Sequence, residues 1–173
     1  DINIDIPSTI EKSELDKYTV SATNLSGEKQ NAEVSVDVWK LVPNERILRN
    51  RKWQSPDQFY LKKAEYEQQF PNDAYSDEGD YQTWKKDKSM YHGLMKTAQS
   101  GEVNFAPLNG LGQGYYLVEL TAKDAFGTEV IQKQYYNLVD AESKTPPFAT
   151  TSWFHALKDK YEPSETLEFL VGS

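Results

Sequence analysis

Toward both ends of the chain, apolar and polar residues alternate one for one. That is the two-residue period of a strand with one buried and one wet face. Tyr18, Val20 and Ala22 alternate with Thr19, Ser21 and Thr23, and Ala32, Val34, Val36 and Val38 alternate with Glu33, Ser35, Asp37 and Trp39. Between them, Asn24-Leu25-Ser26-Gly27-Glu28 has the chemistry of a turn, so the two runs are expected to pair as an antiparallel hairpin. Tyr116, Val118, Leu120 and Ala122 repeat the pattern, Asp124 to Thr128 forms the next turn, and Val130 to Leu138 follows as a strand. Shorter strands are expected at Asn3 to Ile6, closed by Pro7, and at Val103-Asn104-Phe105, before Pro107. Short strands joined by polar turns predict an all-β fold: an antiparallel β-sandwich of about seven strands. Val20, Val34, Val36, Val38, Val118 and Leu120 are its expected core.

From Pro43 to Gln99 the alternation stops. Asp57 to Phe70 has weak helical spacing and runs into Pro71, and Asp80 to Lys96 is expected to hold a second short helix. Residues 43–99 therefore read as a partly helical insertion, sealed onto the sheet by its own aromatics, within a first domain spanning 1–140. The stretch Asp140-Ala141-Glu142-Ser143-Lys144-Thr145-Pro146-Pro147 opens a linker over 141–150. Ser13-Glu14, followed by Tyr18 and Val20, is echoed by Ser164-Glu165, followed by Phe169 and Val171. Residues 151–173 thus read as the truncated start of a second sandwich, and the chain as a piece of a longer one. Its alternating tail, Thr166 to Val171, is expected to add to a sheet edge of this or a neighbouring molecule and to bury Phe169.

Charge and composition narrow the chemistry. Among the 173 residues, 19 are basic and 27 acidic, a net charge of −8, which argues against nucleic acid and anionic membrane surfaces as partners. No apolar run is long enough to span a membrane as a helix. Without cysteine there is no disulfide, thiol nucleophile or thiolate metal site, and two histidines leave little for an imidazole-rich one. No metal or other cofactor is expected. His92 and His155 have no nucleophile motif such as Gly-x-Ser-x-Gly nearby and read as ordinary surface or strand residues, so no catalytic residues are assigned. Asp73-Ala74-Tyr75-Ser76-Asp77-Glu78-Gly79-Asp80 offers oxygen ligands around a glycine, but its spacing is not that of an EF-hand loop, and it reads as a solvated acidic turn. Arg46, Arg49 and Arg51 form a basic cluster. It either contacts a neighbouring domain through bidentate forks or pairs with the acidic turn of its own insertion. Trp53 and Trp84 either stack on carbohydrate or seal the insertion.

Lys160-Tyr161-Glu162-Pro163-Ser164-Glu165-Thr166 is similar to the Tyr-x-Pro-Gly-Glu loop that opens many macroglobulin-type domains of large bacterial α-macroglobulin-like proteins, with Ser164 in place of the glycine. Gly114-Tyr115-Tyr116-Leu117-Val118-Glu119 resembles their late Gly-Tyr-Tyr strand, and Lys123 to Val130 the hairpin after it. Lys40-Leu41-Val42-Pro43 through Arg46, Arg49 and Trp53 also looks like these proteins. The resemblance implies a seven-stranded sandwich inside an extracytoplasmic, periplasmic or cell-surface protein that traps proteases when a bait segment is cut. The thioester used by many members needs a cysteine, which this chain lacks. For this piece the resemblance implies a non-catalytic, spacing role, with neighbouring domains as direct partners and proteases as indirect targets. The other function considered is a carbohydrate-binding β-sandwich of a secreted glycan-handling protein.

Overall fold

Val34, Val36 and Val38 are fully buried, as their alternation requires, and they lie on the strand at the heart of the fold. Each such side chain contributes roughly 1.5–3 kcal/mol relative to exposure. The computed structural model describes residues 1–49, 51–52, 54–97, 101–124, 126–158 and 160–173, with the backbone alone for Pro107 and Asn109. The chain divides into two units, Asp1–Val42 with Lys86–Asp140, and Pro43–Lys85 with Ala141–Ser173.

The first unit is a β-sandwich. A three-stranded sheet orders β1 (Ile2–Ile4), β3 (Lys17–Ala22) and β6 (Glu102–Asn104), with β3 in the middle. A five-stranded sheet runs β2 (Thr9–Glu11), β8 (Glu129–Val139), β7 (Gly114–Lys123), β4 (Glu33–Val42) and β5 (Lys85–Lys96). Val36 faces Leu120 and Val38 faces Val118 across β4 and β7, while Tyr116 faces Tyr136 across β7 and β8. Ile2, Ile4, Val20 and Val103 of the smaller sheet join these residues in one core. β7 and β8 form the expected antiparallel hairpin, closed where Asp124 Oδ1 accepts the N–H groups of Phe126 and Thr128. Gly127 sits there at φ 84°, a backbone conformation that glycine adopts without strain.

Two expectations for this unit are corrected. The turn at Asn24 forms as read, with Asn24 Oδ1 accepting the N–H groups of Ser26 and Glu28. It closes only a short antiparallel ladder, with Thr23 opposite Lys29, and the two long runs do not pair with each other. β3 pairs with β1 and β6, whereas β4 pairs in the other sheet, so the chain arches from sheet to sheet. Both runs are apolar on one face, and stacking two sheets buries both faces against each other, which side-by-side pairing would not. The second correction is at Asp80 to Lys96, where a single 3-10 turn (Tyr81–Thr83) leads into β5, not into a helix. Met90, Tyr91 and Met95 of β5 pack on the core. Gly93 stands between the last two, and the Tyr91 ring lies where a Cβ on Gly93 would be. That glycine interrupts the alternation by which a strand is read. β2 is also absent from the sequence reading: three residues, parallel to β8, with Ile10 opposite Leu138.

In the second unit one helix, α1 (Lys63–Gln69), forms within the expected span. Phe70 caps it, donating its N–H to Tyr66, and Pro71 follows. The rings of the insertion pack on one another, Phe59 on Tyr75 at 4.4 Å, Tyr66 on Phe70 at 5.0 Å and on Tyr75 at 5.4 Å. Phe59 and Phe70 keep 44% and 41% of their surface exposed. The tail supplies its own partner: β9 (Trp153–Ala156) pairs antiparallel with β10 (Phe169–Gly172). Phe169 stays 47% exposed, contrary to expectation, because Phe154 covers its ring from one side of this two-stranded hairpin.

Candidate functional site

Four of the five residues singled out in the sequence, Arg46, Arg49, Arg51 and Trp84, line one cleft of about 340 Å³ in the second unit. Trp53 lies outside the described residues. The cleft is completed by Asp77, Glu78, Gly79 and Asp80 of the acidic turn, and by Leu48 and Phe148.

The three arginines share one architectural task. Arg46 sits at the C-terminal end of α1, where carbonyls point out of the helix without intrahelical partners. Its guanidinium donates to the carbonyls of Phe70, Pro71 and Asp73 at 3.2, 3.0 and 2.9 Å, and to the Glu67 carboxylate at 2.7 Å. Arg49 grips Asp73 with both prongs of its fork, Nε to Oδ1 and Nη2 to Oδ2. The hydrogen bond and positive charge of Arg49 hold the Asp73 carboxyl below its ordinary range. Arg51 reaches the carbonyls of Ala74 and Tyr75. The basic run and the acidic turn are thus stapled together within one unit. Arginine suits this work because its planar fork serves several acceptors at fixed angles.

The turn is knotted on itself as well. Asp80 Oδ1 accepts the N–H of Gln82 and so opens the 3-10 turn, and Thr83 Oγ1 donates to the carbonyls of Asp77 and Asp80. Trp84 Nε1 donates to the Glu78 carbonyl at 3.0 Å, and its ring meets Phe148 edge-on at 6.1 Å. Burial pushes the Glu78 carboxyl up, but hydrogen bonds from Lys63 and from the backbone N–H of Ser76 outweigh it, and the net shift is downward. Trp84 is half-buried and edge-packed, which is not the flat open platform a stacked sugar ring needs. Among the described residues no three acidic or histidine side chains converge as a metal site would need.

Neither histidine lies at the cleft. His92 Nδ1 is 2.7 Å from Asp37 on the outer face of the five-stranded sheet, and His155 stacks on Trp153. Among the described residues no serine or threonine hydroxyl lies within hydrogen-bonding distance of either ring. The arrangement fixes the main chain at the end of α1 and through the acidic turn.

The loop read at Lys160 to Thr166 folds as a tight turn over Glu162 to Glu165. Glu165 donates its N–H to the Glu162 carbonyl at 3.0 Å, Pro163 holds the second position, and Ser164 adopts φ 78°. This is the geometry of a type II turn, whose third position calls for glycine. The Glu165 carboxylate accepts the Glu162 N–H at 2.8 Å and pairs with Lys158 at 3.1 Å. Tyr161 donates its hydroxyl proton to the Glu168 carbonyl at 2.9 Å and so ties the loop to the segment before β10. Compared with known proteins, the chain matches no family model, no curated protein and no solved structure.

Proposed function

We propose that this chain is a non-catalytic structural module of a large extracytoplasmic α-macroglobulin-like protein, one sandwich in an array that traps proteases. The observation that carries this reading is the loop at Tyr161-Glu162-Pro163-Ser164-Glu165. Each position of the Tyr-x-Pro-Gly-Glu pattern has a physical task there. Pro163 presets φ, the next residue takes the left-handed conformation, the glutamate closes the turn, and the tyrosine anchors it. Ser164 occupies the glycine position at a positive φ that a glycine would take, and that angle supports the resemblance. The internal commitment of Arg46, Arg49 and Arg51 supports the same conclusion, because these side chains build a scaffold. The direct partners are neighbouring modules, and proteases are targets of the whole assembly.

The test uses the longer polypeptide that carries this chain, mixed with a panel of endopeptidases. The expected result is loss of protease activity on a protein substrate once the polypeptide has been cut, while this chain alone leaves the proteases unaffected. Undiminished protease activity would refute the proposal. So would retention of the chain on an insoluble polysaccharide that is abolished by Trp84→Ala, since that outcome assigns the cleft to glycan binding.

A further inference from the structure

The five-stranded sheet ends on β5, and among the described residues β5 pairs with β4 alone. One side of a twelve-residue strand is therefore left with a row of unpaired N–H and C=O groups. Edge β2 of the same sheet has three residues, and so do both edge strands of the smaller sheet. β5 is thus the long open edge of the described fold.

The charged side chains along β5 are mostly basic. It carries Lys85, Lys86, Lys88 and Lys96 against a single Asp87, in a chain whose net charge is −8. Lys86 already pairs with Glu119 across the sheet at 2.9 Å, and His92 with Asp37. Lys88 has no partner among the described residues, and Leu94 is 67% exposed. Lys86 and His92 meet Glu119 and Asp37 on the outer face, and Lys88 and Leu94, each two residues further along, fall on that same face, six positions apart.

We propose that β5 is a docking edge for an extended acidic peptide segment of a partner protein, which adds to the sheet as a sixth strand. Main-chain hydrogen bonds supply the affinity. A carboxylate opposite Lys88 and an apolar side chain opposite Leu94, on the same face of the incoming strand, supply register and direction. The lysines also disfavour a basic strand, so the edge is selective as well as open.

The test titrates the full chain, with ¹⁵N-labelled amides, with a short peptide. Threonines alternate along the peptide, and its other face carries glutamate at one end and valine at the other. The expected result is exchange protection confined to the amides of β5 and its new neighbour. Exchanging the glutamates for lysines should weaken binding by about fivefold per charge pair. Lys88→Glu, at an exposed site, should reverse that preference, and N-methylation of alternate peptide residues should abolish binding. No binding, or equal binding of the acidic, basic and N-methylated peptides, overturns the proposal. So does protection of β5 without peptide accompanied by a doubled mass in sedimentation, which makes a second copy of this chain the occupant.

Discussion

The hydroxyl of Tyr136 is buried with its side chain fully shielded, and it has no hydrogen-bond partner among the described residues. Its ring stacks on Tyr116 at 5.3 Å, and Tyr116 solves the same problem differently by donating to the Gly112 carbonyl at 2.5 Å. Leaving one buried donor unmade costs about 1–3 kcal/mol. Tyr136→Phe removes the hydroxyl and keeps the ring, so it should stabilise the protein by about 1 kcal/mol or more. In a chain of this size that moves Tm upward by about 2–4 °C per kcal/mol. Tyr116→Phe should do the opposite and cost about 1 kcal/mol, because it removes that hydrogen bond. Alkaline pH gives a second readout. Burial pushes the Tyr116 phenol from its ordinary 10.0 up to about 12, and burial pushes Tyr136 upward too, with the nearby Tyr116 adding to it. Both phenols stay neutral in the folded state while the unfolded chain ionises. The stability they contribute is complete below about pH 10 and is lost as pH rises from there through about 12. Tyr136→Phe should therefore flatten that loss. The assay is urea unfolding from neutral to alkaline pH, followed by near-ultraviolet dichroism. A Tyr136→Phe protein that is less stable than the parent at neutral pH would refute the argument and give the hydroxyl a bound water as partner.

Leu120→Ala, at a fully buried site, should cost about 2–5 kcal/mol, read as a fall in the denaturant midpoint. Ser164→Gly should relieve a left-handed strain of about 1–2 kcal/mol, less the entropy a glycine adds to the unfolded chain, and so slow exchange of the Glu165 amide. Arg46→Met should speed amide exchange in Lys63–Asp73 while leaving β4, β7 and β8 protected, because the guanidinium serves carbonyls of its own unit. Asp73 and Glu78 are both held below their ordinary range, so the stability they contribute is present above about pH 4.5 and lost as pH falls below it. Exchange in the acidic turn should rise on acidification, and less so in Arg49→Met.

β4 was legible because it is long and alternates, with Val34, Val36 and Val38 on one face, and β7 and β8 because they are long apolar runs joined by the turn at Asp124 to Thr128. The arch after Asn24 was not legible, since a turn signal states that the chain reverses and not which sheet it enters. β5 was hidden by Gly93 and by the polar stretch Lys85 to Ser89, which an edge strand leaves in water. β2 is three residues long, too short for any period. At the cleft, the pairing of basic and acidic clusters was one of two readings the sequence offered. The carbonyls of Phe70, Pro71 and Ala74 were invisible to it, because a backbone acceptor has no letter. The glycine-like angle at Ser164 became visible only as a departure from a pattern.

Residues 43–84 put 42 residues between β4 and β5 in the chain, and β2 meets β8 across more than a hundred. Folding must therefore close one sheet over very unequal distances. Loop length predicts that the β7–β8 hairpin, joined by a five-residue turn, forms first, that β4 adds along β7, and that β2 zips onto β8 last. Each doubling of a closed loop costs only about 0.6 kcal/mol, so the long excursion slows assembly more than it weakens the product. Ile10, at the centre of the last strand to arrive, is where a folding nucleus should be least formed, and its truncation should speed unfolding while leaving the refolding rate nearly unchanged.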